Sequence, residues 1–272
     1  MKDTQWIETY RGAVAAWECD AFGHMNIAFY PQRFEAAARD LLERKGAASV
    51  WQTVELDVKY LEELRAAEAV VIRSGVLDAS GDRVRLAHEA ASPAGARTTL
   101  AEHVLQRGIS APAPFGTIAG WERFAPAQIP SGEGAFGTGR DRVRGAECEE
   151  GALPPSGYTH RFSDANVFLM EAVGMSGAYR RANNRGFATF ETRLSLETRR
   201  AAPGDGVVVT SGIIAVGTSS LRMLHRMRAT TDGRPLAQFY QAGVHFDLAA
   251  RRSAPWPSDL RAKAESFVLA AS

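Results

Sequence analysis

The chain repeats itself, and this duplication constrains its fold more than any other feature of the sequence. Residues 70–90 (VVIRSGVLDASGDRVRLAHEA) and 207–227 (VVVTSGIIAVGTSSLRMLHRM) share Val, Val, Ser, Gly, Arg and His at one constant offset. The match extends to both sides, where YLEELRAA corresponds to SLETRRAA and TTLAEHVLQRGI to RPLAQFYQAGVHF. A repeat of this length indicates two copies of a whole domain, because a solenoid unit is much shorter.

The length and composition of the chain agree with a duplicated domain. Its 272 residues suffice for two domains of ordinary size, and a hydrophobic fraction of 45% is typical of a protein that buries a core. A segment rich in Pro and Gly between the copies is too long for a tight turn and indicates a connector. We therefore predict a first domain at 1–112, a connector at 113–156 and a second domain at 157–272.

Hydrophobic periodicity in the first copy predicts one helix and a series of strands. Phe34, Ala38 and Leu41 fall on one face of a helix over residues 31–45, and Gly46 is a plausible C-cap. Segments rich in Val, Leu and Ile, separated by turn residues, predict strands at 9–16, 53–61, 68–78, 84–91 and 99–109. One helix with hairpin-connected strands predicts an α+β fold, in which an antiparallel sheet packs on the helix.

The second copy is expected to contain a buried helix. Residues 166–186 are apolar nearly all round, and Gly174 and Gly177 would let a sheet approach closely.

Bulk properties exclude several classes of function. The formal net charge is +1, which gives no global attraction to nucleic acid or to a membrane surface. The longest apolar run, near residues 207–216, is too short to span a bilayer, and the N-terminus has no signal-peptide pattern. Cys19 and Cys148 are far apart in sequence, which suggests a reducing compartment. We expect a soluble, cytoplasmic protein.

A compact polar motif precedes the helix of the first copy, and it carries a family resemblance. The stretch DAFGHMNIAFY at 20–30, followed by RFEAAARDLL and later by LDVKYLEELRAAE, resembles the hotdog-fold acyl-CoA thioesterases, in particular the 4-hydroxybenzoyl-CoA thioesterase-like branch. The matching positions are Asp20, Gly23, His24, Asn26, Tyr30 and Glu35. The resemblance covers both copies. It implies a double hotdog, with two antiparallel sheets, each wrapped around a long central helix, forming a pseudo-dimer in one chain.

The resemblance implies hydrolysis of an acyl-CoA thioester to a free acid and CoA. CoA is then part of the substrate, and no separate cofactor is expected. The reaction needs a base or nucleophile at the carbonyl and donors for the developing oxyanion. Asp20 can supply the first, either by attacking the carbonyl or by deprotonating a water. The N–H of Ile27 or of a neighbouring residue at the helix N-terminus can supply the second.

The motif residues beside Asp20 have candidate roles as well. His24 is expected to orient Asp20 or to assist the leaving thiolate, and Asn26 to position the carbonyl or the water. Gly23 would let the backbone approach the thioester. Structural alternatives stay open, because Asp20 can shape a turn and Asn26 can cap a helix.

Four further side chains have a candidate role in binding or in packing. Tyr30 and Glu35 are candidates for substrate binding, with packing and a place on the helix surface as their respective alternatives. His88 and His225 recur on a strand of each copy, which favours a structural pairing role.

The second copy departs from the motif. Aligning its helix end, Gly186, with Gly46 places His160, Asp164 and Asn166 opposite Asp20, His24 and Asn26. This copy has then either lost catalysis, which we favour, or holds a different active pair.

Partners follow from the same resemblance. Arginines suit the phosphates of CoA, and the candidates are Arg83, Arg85, Arg193, Arg199 and Arg200. No metal-site spacing is present.

Alternative functions are an acyl-carrier-protein thioesterase, a hotdog enoyl-CoA hydratase or dehydratase, and a non-catalytic acyl-binding protein. The chain could act alone or as a homodimer of double-hotdog chains.

Overall fold

Two compact units make up the computed structural model, Met1–Pro126 and Ala127–Ser272. Described residues are 6–47, 51–107, 116–125, 129–130 and 136–270. No helix within these ranges combines the length and apolar character needed to cross a membrane.

The described residues of the first unit form one antiparallel sheet and one α-helix. Its elements are β1 (Ile7–Ala13), 3₁₀ turns at Ala16–Glu18 and Ile27–Phe29, α1 (Tyr30–Arg44), β2 (Gln52–Tyr60), β3 (Ala69–Ser80), β4 (Arg83–Ala91) and β5 (Arg97–Gln106). The strand order is β1-β3-β4-β5-β2. The predicted helix and strands are present. The predicted 9–16 strand ends at Ala13, before the 3₁₀ turn, and residues 108 and 109 of the predicted 99–109 strand lie outside the described residues.

Helix α1 packs on the sheet with the apolar face that its sequence predicts. Ala38, Leu41 and Leu42 are buried in one cluster with strand residues that include Val84 and Leu86. The helix ends before Gly46, whose φ of 73° is readily adopted only by glycine. This packing fixes the N-terminus of α1 relative to the sheet, and the polar motif lies directly before it.

The second unit has the same plan with additions. Its elements are β6 (Phe136–Arg142), a 3₁₀ turn (Gly145–Glu147), α2 (Pro155–Val173), α3 (Gly177–Asn183), β7 (Arg185–Leu196), β8 (Gly206–Val216), β9 (Ser220–Ala229), β10 (Pro235–Asp247), β11 (Arg252–Ser253) and α4 (Ser258–Ser266). The strands are ordered β7-β10-β9-β8-β6, and β11 pairs with β10.

Part of the predicted connector at 113–156 belongs to this second unit. Strand β6 pairs antiparallel with β8, and the 3₁₀ turn Gly145–Glu147 follows it. The glycines of β6 are typical of a loop, which is why the sequence predicted a connector here. The segment is a strand because it forms a long-range ladder with β8. Residues 113–115, 126–128 and 131–135 of the predicted connector lie outside the described residues.

The helix predicted at 166–186 is also corrected. Helix α2 begins earlier, at Pro155, and ends at Val173, because Gly174 adopts a left-handed conformation with φ 97°. Ser176 then caps the separate helix α3. Gly174 is therefore a helix C-cap rather than a point of close sheet approach. Val167 and Phe168 are exposed, so α2 is not buried all round as predicted.

The two units repeat their buried polar contacts. The hydroxyl of Ser74 lies 2.6 Å from His88 Nδ1, and Ser211 lies 2.6 Å from His225 Nδ1. Each histidine is fully buried, and burial lowers its pKa. The structural pairing expected for these two histidines agrees with this arrangement.

Candidate active site

The carboxylate of Asp20 organises a tight turn between two strand-like segments. Its Oδ1 accepts the N–H of Phe22 at 2.8 Å and that of His24 at 3.1 Å. The main chain closes the same turn, because Asp20 N–H donates to the His24 carbonyl at 2.8 Å. Asp20 is exposed, and its Oδ2 accepts no hydrogen bond from the part of the chain that is described. One oxygen holds the turn, which leaves the second available for chemistry.

Glycine at position 23 is required by the turn itself. Gly23 has a φ of 79°, which side-chain-bearing residues rarely adopt. A Cβ there would meet nothing within 4 Å, so the constraint is conformational rather than steric. The same open space leaves room for a substrate to approach this backbone, which is the role expected from the sequence.

His24 is fixed by two separate contacts. Its main-chain N–H holds Asp20, but its imidazole turns to Glu63, with Nε2 3.1 Å from Glu63 Oε2. His24 therefore contacts Asp20 through its main-chain N–H and not through its imidazole. Glu63 lies after β2, and the neighbouring Leu64 carbonyl accepts the N–H of Met25 at 2.7 Å. Glu63 positions the imidazole beside the turn.

Asn26 begins the helical segment that becomes α1. Its Oδ1 accepts the N–H of Ala28 at 2.9 Å, so it caps the 3₁₀ turn Ile27–Phe29. The N–H of Ile27, at the first position of that turn, has no acceptor among the residues described. A free N–H at a helix start can stabilise an oxyanion, and the exposed Asp20 carboxylate seven residues earlier in the chain can act as a base or nucleophile.

Tyr30 and Glu35 lie farther along the same helix. Tyr30 is only 4% exposed and packs edge-on against Tyr60, and its burial raises the pKa of the phenol. This environment favours packing over contact with substrate. Glu35 is half-buried and accepts a 3.4 Å hydrogen bond from Thr53, which also lies 2.8 Å from His103. Glu35 thus belongs to a polar chain that runs into the core.

The proposed counterparts in the second unit do not occupy the corresponding positions. His160, Asp164 and Asn166 all lie within α2, not in a loop before it. The C-cap Gly174, rather than Gly186, corresponds to Gly46. A sequence-only alignment missed this, because α3 is inserted between α2 and β7 and shifts the later glycine.

A buried ion pair gives the correct correspondence between the units. Arg33 Nη2 bonds Glu18 at 2.7 Å, and Arg161 Nη2 bonds Glu147 at 2.9 Å. With Arg161 opposite Arg33, His160 stands opposite Gln32. The loop after Glu147 is short, since the bridge between Glu149 and Ala152 encloses only two residues. The second unit therefore has no equivalent of the Gly23–His24 turn.

The second unit instead has an open cleft of about 450 Å³ before and along α2. Its lining consists of Asp141, Arg144, Glu147, Pro154, Ser156, Gly157, His160, Arg161 and Asp164. Burial lowers the pKa of His160, and the Asp164 carboxylate opposes that shift. His160 and Asp164 are thus brought into one cleft, although not in the roles that the alignment gave them.

Two of the predicted phosphate-binding arginines already have partners. Arg85 contacts the buried Glu102 at 3.3 Å, and Arg83 makes a long 3.5 Å hydrogen bond to Gln106. Arg193, Arg199 and Arg200 lie in or after β7, in the second unit. No group of three His, Cys, Asp or Glu side chains able to hold a metal occurs in the described ranges.

A family model described as "Thioesterase-like superfamily" matches residues 14–110 and 153–264. The chain belongs to the thioesterase-like superfamily. The two matched segments agree with the duplication, and the tandem hotdog resemblance drawn from the sequence is confirmed. The second match begins at residue 153, after the short turn between Glu149 and Ala152. No curated protein matches this thioesterase-like chain significantly.

Solved structures share the fold over most of this thioesterase-like chain. A provisionally assigned oleoyl thioesterase from Lactobacillus plantarum has a TM-score of 0.67 at 12% identity, covering 87% of this chain and 95% of its own. An acyl-ACP thioesterase from Bacteroides thetaiotaomicron has a TM-score of 0.64 at 9% identity, covering 90% and 99%. An acyl-CoA thioesterase II from Mycobacterium marinum has a TM-score of 0.51 at 12% identity, covering 92% and 93%.

Glu63, Glu18 and Arg33 contact the polar motif or the segment before it, but the sequence did not single them out. Glu63 lies within LDVKYLEELRAAE, which carried part of the family resemblance, but no local spacing links it to His24. The recurring Arg-Phe at 33–34 and 161–162 was the available signal for the buried ion pair.

Proposed function

We propose that the protein hydrolyses an acyl-CoA thioester. The Asp20 carboxylate either activates the attacking water or attacks the carbonyl itself. One observation carries the proposal: Oδ1 of the exposed Asp20 is held by two backbone N–H groups, while Oδ2 accepts no hydrogen bond from the described residues. Membership of the thioesterase-like superfamily supports the reaction class.

In the general-base route, Asp20 Oδ2 takes a proton from water as the water oxygen bonds to the thioester carbon. The carbonyl π electrons move to oxygen, and the Ile27 N–H stabilises this oxyanion. The carbonyl then re-forms, the C–S bond breaks, and the CoA thiolate takes up a proton, which His24 or protonated Asp20 supplies.

In the nucleophilic route, Oδ2 itself bonds to the carbonyl carbon and CoA thiolate leaves. The resulting mixed anhydride is then hydrolysed by water. Rapid mixing with excess enzyme separates the routes. A burst of thiol release ahead of free acid, with more acyl hydroxamate formed on addition of hydroxylamine than the same acyl-CoA gives without enzyme, supports the covalent route.

The decisive variant is Asp20→Asn. The amide oxygen can still accept the N–H groups of Phe22 and His24, so the turn is expected to survive, while the reactive oxygen is replaced by NH₂. We expect free-thiol release to fall by at least about 10²-fold, the range of one general base, with an unchanged melting temperature. Activity at the wild-type level in a folded Asp20→Asn protein would contradict the proposal.

Positioning by Glu63 is tested in the same assay. Glu63→Gln removes the carboxylate that faces His24 Nε2. A lower kcat with little change in KM is expected if the imidazole assists the leaving thiolate. Glu62→Gln, one residue earlier, is the matched control.

A carrier-protein thioester is the near alternative, and the same Asp20 chemistry would serve it. Comparing an acyl-CoA with an acyl-carrier-protein that bears the same acyl chain distinguishes the two.

A hydratase or dehydratase is a second candidate, favoured only by the cleft that holds His160 and Asp164. Water addition to an enoyl-CoA, lost in His160→Gln but not in Asp20→Asn, would support it. Acyl binding without turnover would indicate a non-catalytic protein.

Several finer expectations belong with this proposal. Association of the two hotdog units as a pseudo-dimer, a homodimer of whole chains and a cytoplasmic location all stay predictions. So do the lack of a separate cofactor and of nucleic-acid or membrane partners.

A further inference from the structure

Three large apolar side chains of the first unit are exposed in its described part: Trp17, Phe22 and Leu61. Trp17 is the extreme case, with 83% of its surface exposed. Single exposed apolar residues are ordinary on protein surfaces. These three differ from other exposed residues because each lies in the Asp20 turn or in a segment that contacts the motif around it.

Their attachment to the turn is direct. Phe22 is part of it, and its own N–H donates to Asp20 Oδ1. Trp17 lies in the 3₁₀ turn whose last residue, Glu18, accepts the N–H of Asn26 through its carbonyl at 2.8 Å. Leu61 begins the segment that carries Glu63, the partner of His24.

The second unit provides an internal comparison. Trp17 is the middle residue of a 3₁₀ turn, and the middle residue of the equivalent turn is Ala146. Leu61 donates its N–H to Thr98 after β2, and Glu197 makes the equivalent bond to Leu236 after β7.

Phe22 has no equivalent in the second unit. The loop between Glu149 and Ala152 contains only Glu150 and Gly151. All three exposed apolar side chains are thus absent from the corresponding positions of the second unit. Packing within a hotdog unit does not require them.

We infer that Trp17, Phe22 and Leu61 form an apolar surface that contacts the acyl group of the substrate and selects thioesters with a large apolar acyl part. This inference rests on the proposed function. Covering exposed aromatic and aliphatic surface is favourable in proportion to its area. An acetyl group is too small to cover this surface, whereas a medium-length chain or an aromatic ring can do so.

The test compares acyl groups in Trp17→Ala, with Phe190→Ala as the matched control. Phe190 is an exposed aromatic residue on β7 of the second unit. For Trp17→Ala we expect kcat/KM for octanoyl-CoA and benzoyl-CoA to fall about 10- to 100-fold, mainly through KM, as for loss of one well-buried apolar contact. Acetyl-CoA hydrolysis should be unchanged, and Phe190→Ala should match wild type on every substrate.

Leu61→Ala should give the same chain-length dependence to a smaller degree. Equal loss for all acyl groups, or no loss for any, would overturn the inference. So would a loss seen only with acyl-carrier-protein and not with acyl-CoA of the same chain, since the surface would then contact the carrier.

A binding measurement separates this inference from the proposed function. Calorimetric titration with a non-hydrolysable octanoyl-CoA thioether is expected to show weaker binding to Trp17→Ala than to wild type. Binding that depends on Trp17, without hydrolysis of any thioester by wild type, would overturn the hydrolase proposal and retain the acyl surface. Hydrolysis by wild type, together with binding that is unaffected by Trp17→Ala, would retain the hydrolase proposal and overturn the acyl surface.

Discussion

Glu18 and Arg33 form an ion pair beneath the polar motif, with 8% and 5% of their side-chain surfaces exposed. Arg33 Nη2 lies 2.7 Å from Glu18 Oε2, which also accepts the N–H of Ala15 at 2.7 Å. Burial raises the pKa of Glu18, but Arg33 and the Ala15 N–H outweigh burial and hold it below its usual value. Because the Glu18 carbonyl also holds Asn26, this pair connects α1 to the start of the motif.

Loss of this carboxylate should strongly destabilise the first unit. Glu18→Gln leaves the buried Arg33 guanidinium without a counter-charge, and we expect the free energy of unfolding to fall by about 3–5 kcal/mol. Denaturant unfolding at neutral pH measures it. Glu147→Gln is the control, since Glu147 is 25% exposed and Arg161 keeps Asp141 at 2.9 Å. Its cost should be only about 1 kcal/mol, and equal costs for the two variants would contradict the prediction.

Substitutions of Asn26 separate its capping role from a chemical one. Asn26→Ala removes the acceptor for the Ala28 N–H and should lower stability by about 1 kcal/mol. Asn26→Asp keeps an acceptor oxygen and should retain wild-type stability. If Asn26 also positions the carbonyl or the water, thiol release will be lower in the stable Asn26→Asp protein. Full activity there would limit Asn26 to capping.

The buried histidines should make the protein less stable in mild acid. Burial lowers the pKa of His103 to about 3 from a reference of 6.5, so the folded protein keeps it neutral at pH 5. The unfolded chain takes up a proton below pH 6.5, and the free energy of unfolding therefore falls as pH falls from 7 to 5.

His103→Gln should reduce that loss by about 2 kcal/mol. Glutamine is a suitable replacement because Gln241 occupies the equivalent place in the second unit, where it bonds Thr189 at 2.7 Å. Chemical unfolding of both proteins at pH 7 and pH 5 gives the comparison. An identical loss in the two proteins would show that His103 is not held neutral by the fold.

The C-terminal segment closes over a glycine of β8. Leu269 N–H donates to the Ile213 carbonyl at 2.8 Å, and the Leu269 side chain occupies the space that a Cβ on Gly212 would need. Gly212→Ala should therefore displace the segment after α4, lower stability by about 1–3 kcal/mol and expose the C-terminus to limited proteolysis. Gly137→Ala, in open space on β6, is the control and should leave the cleavage pattern unchanged.

Local sequence determined much of this protein. The apolar face of residues 31–45 and the alternating strands define the helix and sheet of the first unit, because their periodicity is set by neighbouring residues. The duplication could also be read from the sequence alone, because the Ser-Gly and His positions recur at one constant offset. The polar motif also marked the region where Asp20, Asn26 and the start of α1 meet.

Tertiary structure decided what depends on residues distant in the chain. The pairing of His24 with Glu63 and of Glu18 with Arg33 is made by packing, which no spacing in the sequence encodes. The glycine-rich β6 became a strand through its ladder with β8. The match of Gly46 with Gly174 depended on the two corresponding Arg–Glu ion pairs, which fix the register between the units. Burial and long-range hydrogen bonds are properties of the folded chain, so these features could be assigned only once the fold was known.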